Sequence, residues 1–146
     1  MQQSASPTPS KLSLWIGLTR PKTLFSGLSS VLVAIFYAAS LGAIDVLRTL
    51  LLVVVAVAAQ IASNIANDLI DHRKGADTDE RKGPLRPLSR GLISEREVRL
   101  ALYLSLAVLL TSGLWLIALS SWWLLLVGLA VVLGVFAYSG GPYPLS

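Results

Sequence analysis

Apolar runs close to the length of a bilayer crossing constrain this chain more than any other feature. A hydrocarbon core of roughly 30 Å needs about 20 apolar residues in a helix. Four segments approach that length, at about 23–40, 46–67, 98–119 and 122–138. Of the 146 residues, 54% are hydrophobic, and mean hydropathy is +0.69. That is too apolar for an ordinary soluble domain. The expected fold class is therefore all-α: a multi-span transmembrane helical bundle with short connections.

The flanks of these runs carry the polar information. MQQSASPTPS at the start is Ser- and Pro-rich and lacks the pattern of a cleavable signal. Residues 1–12 are expected as a disordered cytoplasmic tail, and 13–146 as one domain. SLWIGL, 13–18, is too short to span and suits the membrane interface, as do Trp122 and Trp123. Lys11, Arg20 and Lys22 precede the first run, and Arg73, Lys74, Arg81, Lys82, Arg86 and Arg90 follow the second. The other two connections hold only Asp45 with Arg48, and Ser120 with Ser121. By the positive-inside rule the N-terminus, the long second connection and the C-terminus face the cytoplasm; the expected location is a bacterial inner membrane. The net charge of +4 is concentrated on that face. Cysteine is absent, which removes disulfide and thiol chemistry.

Local signals place the helix ends. Pro21 suits the first turn of a helix. Gly27, Ser30 and Ala34 recur at near-helical spacing and allow close packing in lipid. In the second run Gln60, Asn64, Asn67, Asp68 and Asp71 fall within about a quarter turn at 100° per residue. Gly75 ends that helix, and the Gly- and Pro-rich segment 75–91 is expected as a structured loop. Ser94 with Glu97 forms a capping box for the next helix, and Glu95 with Arg99 an i,i+4 pair.

The acidic stripe is where chemistry is expected. Asp68 and Asp71 lie at i,i+3, so both carboxylates point one way. Ionisable groups at membrane depth are costly and mark function by default. Two adjacent carboxylates repel unless a cation joins them. With no cysteine and a single histidine, His72, zinc and copper are disfavoured. An all-oxygen set suits Mg2+, which binds one or two carboxylates together with substrate phosphates. Asn64 and Asn67 could orient its waters or add an amide oxygen. Arg81, Lys82, Arg86 and Arg90 follow at once, and arginine grips phosphate oxygens bidentately. A lipid diphosphate matches the basic head site and the apolar walls. His72 is expected as an interfacial residue, and Asp79 and Glu80 as a solvated loop.

These residues resemble a known family. Asn67-Asp68-x-x-Asp71 followed by Arg86-Pro87-Leu88-x-x-Gly91 is similar to the first aspartate-rich motif of the UbiA family of intramembrane aromatic prenyltransferases. Arg20-Pro21-Lys22-Thr23-Leu24, Gly75-Ala76-Asp77-Thr78 and Tyr138-x-Gly140-Gly141-Pro142-Tyr143-Pro144 are similar to the branch acting on a dihydroxynaphthoate in menaquinone or phylloquinone biosynthesis. The likeness runs from about residue 14 to the last residue. It implies a nine-helix fold around a central cavity, with two aspartate motifs holding Mg2+ and a polyprenyl diphosphate. Metal and bases stabilise the departing diphosphate, and the ring of a naphthoate-type aromatic acceptor attacks the allylic cation and loses its carboxyl as CO2. Carried over by position, Asn67, Asp68 and Asp71 bind the metal diphosphate. Asp77 stands for the third acid, displaced past Gly75. Arg86 contacts diphosphate, with Arg20 and Lys22 as further contacts, and Tyr138 lines the site. The Lys-Arg pair that many members carry after this tyrosine is replaced by Gly-Gly-Pro.

One aspartate motif and about four spans correspond to the N-terminal portion of such a fold. The chain alone is expected to be inactive, as a truncated or frameshifted product or one half of a split enzyme with a C-terminal half chain. Membrane lipid is an expected partner and nucleic acid is not. Two plainer readings stay open: a non-catalytic membrane fragment whose stripe is interhelical hydrogen bonding, and a small transporter with an acidic pathway.

Overall fold

The computed structural model describes residues 9–74 and 87–140, with side chains as far as 136. Five helices follow one another: α1 (Lys11–Thr19), α2 (Pro21–Ser40), α3 (Val46–Lys74), α4 (Glu95–Leu119) and α5 (Leu124–Gly140). No strand occurs among the described residues. The protein is an integral membrane helical bundle, and α3 is its axis: α1, α2, α4 and α5 all pack against it.

The first two helices are separated by a single residue, and the sequence explains why. Pro21 clashes with a right-handed helical conformation at the residue before it. Arg20 instead adopts the left-handed conformation, φ 49° and ψ 70°, and is the one non-glycine residue with positive φ among those described. Its N–H still bonds the Gly17 carbonyl at 3.2 Å and closes α1. Pro21 then occupies the first turn of α2, where its missing N–H costs nothing. The result is a sharp elbow. Helix α1 begins at Lys11, with Ser10 as N-cap, inside the segment expected as tail. Rather than lying only along an interface, α1 buries Leu14 and Leu18 in the core beside Ile65 and Leu69 of α3.

Helix α3 continues seven residues past the expected end of its span, to Lys74. Asp45 caps its start, accepting from the Arg48 N–H at 2.8 Å. At 1.5 Å per residue it is about 43 Å long, so its polar end extends beyond the hydrocarbon. Helix α4 starts as expected. Ser94 Oγ accepts from the Glu97 N–H at 3.3 Å, and Glu97 Oε2 accepts from the Ser94 N–H at 3.0 Å. The segment before it explains Pro87-Leu88-x-x-Gly91. Leu88 plugs the core, 3% exposed, and Gly91 turns the chain at φ +67°.

Three stretches are long and apolar enough to cross a membrane: Lys11–Ser40, Val46–Lys74 and Glu95–Leu119. The fourth expected span is present as α5, but Trp122 and Trp123 form an exposed turn before it and its described apolar part, Leu124–Phe136, is shorter. The core gathers at the end of the bundle that carries the elbow, with Leu18 and Val98 completely buried. Elsewhere the apolar surface faces outward, as lipid-exposed helices require. Helix α2 is the extreme case, with no buried residue. Of the three small residues expected to pack, Gly27 does so: a Cβ there would stand 2.9 Å from Gln60 Oε1. Ser30 and Ala34 are exposed.

Two substitutions test this account. Ser94→Ala is expected to destabilise by about 1 kcal/mol through the lost cap, and Gly91→Ala by about 1–2 kcal/mol through left-handed strain. Thermal unfolding in detergent, followed by circular dichroism, would contradict it if both variants melted with the unmodified protein.

Candidate functional site

The polar stripe of α3 faces the α1–α2 elbow. Asn64, 3% exposed, donates through Nδ2 to the Thr19 carbonyl and to Thr23 Oγ1, both at 2.8 Å. The Thr23 hydroxyl in turn donates to the Arg20 carbonyl at 2.9 Å. One amide thus ties the last residue of α1 to the first turn of α2. Gln60 Nε2 approaches Asn64 Oδ1 at 3.4 Å, and the same Gln60 side chain fills the space beside Gly27.

One turn beyond Asn64, Asp68 accepts from Arg20 Nη2 in an ion pair. Asp68 is 2% exposed and the Arg20 side chain 22%. A carboxylate that deep keeps its charge only with a partner, and the elbow delivers one from 48 positions away in sequence. The strained backbone of Arg20 thus aims its guanidinium at α3. Asn67 is buried at 6%, and Asp71 is half-buried one turn on from Asp68.

Beyond the acids, the end of α3 is fastened to the start of α4. Arg73 donates to Glu95 Oε1 through Nε at 3.1 Å and Nη2 at 2.6 Å. Arg99 reaches the same oxygen at 3.8 Å, so the expected Glu95–Arg99 pair is present but Arg73 is the closer partner. These groups are largely exposed, so solvent screens the pair and its contribution is small; it joins the end of α3 to the start of α4.

The structure thus brings Asn64, Asn67, Asp68, Asp71 and Arg20 to one end of the bundle. Lys22, His72 and Arg90 are exposed. Tyr138 lies in α5, in the part described by backbone alone. Arg86 and Asp77, with Asp79, Glu80, Arg81 and Lys82, lie outside the described residues. Thr19 and Thr23 were not anticipated as partners of the stripe. The Arg-Pro dipeptide was the available signal, because it requires a bend that some polar group must fasten.

The donor set is oxygen throughout: two carboxylates and the Asn67 amide on the final turns of one helix. Among the described residues no three His, Cys, Asp or Glu side chains gather into a metal-sized group. The chemistry of the pair still fits a hard cation shared with an anionic ligand, and one of its carboxylates already holds a positive charge, that of Arg20. Among the apolar grooves that flank α3 are two of similar size. One, of about 550 Å3, lies beside the elbow among Trp15, Thr19, Ile61 and Leu104. The other, of about 620 Å3, lies between α3, α4 and α5 around Ala56, Gly113 and Gly128, roughly a third of a turn round α3 from the stripe.

Comparison with known proteins shows the family. The profile of the UbiA prenyltransferase family matches residues 27–146. The chain belongs to the UbiA prenyltransferase family. Over 142 residues it is 34% identical to the 1,4-dihydroxy-2-naphthoate octaprenyltransferase of Escherichia coli, covering 92% of this chain and 46% of that protein. The enzyme of the same name from Haemophilus influenzae is 38% identical over 112 residues, 75% of this chain and 36% of the relative. That from Mycobacterium tuberculosis is 38% identical over 130 residues, 89% and 44%. The chain therefore spans less than half the length of these UbiA relatives. No solved structure matches it significantly.

Asn64→Ala removes both bonds that fasten the elbow. At roughly 0.6 kcal/mol per interhelical hydrogen bond in lipid, and with a small cavity added, the expected loss is about 1–2 kcal/mol. Unfolding by SDS titration would measure it, and a change below the error of a conservative surface control would contradict the elbow account.

Proposed function

We propose that this chain carries an acidic diphosphate-binding cluster of a membrane prenyltransferase. The enzyme would transfer a polyprenyl group from its diphosphate to an aromatic acceptor of the dihydroxynaphthoate type, in menaquinone or phylloquinone biosynthesis. One observation carries the reading. A buried aspartate, Asp68, is paired with Arg20 at the end of a membrane helix, with Asp71 one turn on. The names of the matched relatives support the acceptor class.

Asn67, Asp68 and Asp71 would hold Mg2+, joined by Asp77 from outside the described residues. Bound there with the diphosphate, the metal would offset negative charge and favour departure of the leaving group. The chain's own residues do the rest. Arg20 and Lys22 at the elbow, and Arg86 on the connection, supply positive charge for diphosphate oxygens. Burial at the elbow excludes water from Asp68, which strengthens each charge interaction there. The groove beside Thr19 gives an isoprenoid tail an apolar path away from the charged end, and Tyr138 would line the site from α5. The excess of bases around this end supports a cytoplasmic position for it, in a bacterial inner membrane.

A single carboxylate cluster leaves much of a diphosphate's charge uncompensated. Turnover is therefore expected when the remaining length of the relatives is supplied, in one polypeptide or as a C-terminal half chain, and not by this chain alone. The chain's own share is binding. Membranes carrying it should retain labelled prenyl diphosphate when Mg2+ is present and release it to EDTA. Asp71→Asn should weaken retention about 10- to 100-fold. Retention that ignored both EDTA and this substitution would refute the proposal and leave the stripe as interhelical bonding.

A further inference from the structure

The reading above treats Asp68 as a metal ligand, yet its carboxylate is already engaged by Arg20. Two features show how both can hold. First, the elbow backbone is secured independently of the guanidinium. Asn64 holds the Thr19 carbonyl and the Thr23 hydroxyl, and Thr23 holds the Arg20 carbonyl. The side chain can leave Asp68 without unfastening the turn. Second, Arg20 has somewhere to go: its side chain is 22% exposed where Asp68 is 2%. The carboxylate is fixed and the guanidinium stands at the site's opening.

We infer that Arg20 is a positioning residue: a built-in counter-ion that occupies the cation's place on Asp68 and gives it up when a divalent cation arrives, pivoting on the left-handed elbow. This rests on the metal reading of Asp68. A buried carboxylate is costly unless a positive charge offsets it, and the guanidinium supplies such a charge between ligands. A divalent cation brings twice the charge and is shared with Asp71, so it can displace a single guanidinium. The displaced guanidinium then needs an anion, and a diphosphate beside the metal provides one. Metal and diphosphate therefore assist each other's binding through Arg20, while metal alone binds weakly because it must first evict the arginine.

The test uses this chain in detergent or membranes, with Mn2+ as a spectroscopic substitute for Mg2+ and inorganic diphosphate as the anion. Electron paramagnetic resonance reads free Mn2+. In the unmodified chain, diphosphate should tighten Mn2+ binding about tenfold. Arg20→Gln should bind Mn2+ alone about tenfold tighter than the unmodified chain, and diphosphate should then add little. Arg20→Lys, which keeps the charge, should restore weak binding of metal alone. Because Arg20→Gln removes the ion pair from buried Asp68 and can misfold, a second measurement needs no substitution. Phenylglyoxal should modify Arg20, read by mass spectrometry of its peptide, faster once Mg2+ is added. The inference is overturned if Arg20→Gln binds Mn2+ no tighter, or if Mg2+ leaves the labelling of Arg20 unchanged. Asp68→Asn separates the two ideas. If it abolishes Mn2+ binding while Arg20→Gln does not tighten it, the exchange alone is wrong. If Asp68→Asn binds Mn2+ normally, the metal reading of Asp68 falls with it.

Discussion

A proline and an aspartate organise the functional end of this bundle. Pro21 disfavours the right-handed helical well at Arg20, and the left-handed bend found there turns its guanidinium onto Asp68. Asp68, almost wholly buried, needs a positive partner to stay ionised. The strained backbone of Arg20 persists because Asn64 and Thr23 hold both sides of the bend. Local strain of this kind accumulates where a side chain must be presented in one geometry. Here it presents a cation to the acid that the family resemblance implicates in metal binding.

The two polar roles of α3 are divided along its length. Gln60 and Asn64, nearer the membrane interior, act on protein: they fill the space beside Gly27 and fasten the elbow. Asp68 and Asp71, nearer the end, carry the charge. The stripe is thus partly interhelical bonding and partly the proposed binding site, and the plain structural reading accounts well for its first half. Asn64 shows how the halves connect, since it fixes the bend that aims Arg20 one turn further along.

Much of this architecture was legible in residue order alone. The three long membrane-length helices followed from apolar length, the start of α4 from Ser94 and Glu97, the start of α2 from Pro21, and the acidic stripe from helical periodicity. What was not legible depends on distant partners. Leu14 and Leu18 look like interfacial residues until Ile65 and Leu69 are seen to receive them. The Arg73–Glu95 contact joins positions on different helices, and the nearer candidate, Arg99, is the weaker partner. Ser30 and Ala34 share the spacing of Gly27 but face outward, because small size permits contact without compelling it. The pairing of Arg20 with Asp68 required knowing that a one-residue bend would fold α1 back onto α3.

The length of α3 matters beyond packing. A straight helix of about 43 Å overshoots a hydrocarbon layer of roughly 30 Å by around a dozen ångströms, and the overshoot lies at the acidic end if the helix enters the opposite leaflet near Val46. The carboxylates then stand at headgroup level. A hydrated ion arriving from the aqueous phase reaches them without crossing oil, and an amphiphile already dissolved in the leaflet meets them at the height where its own polar head floats. On the proposed reading, the length of one helix would set an ion and an amphiphile at the same height.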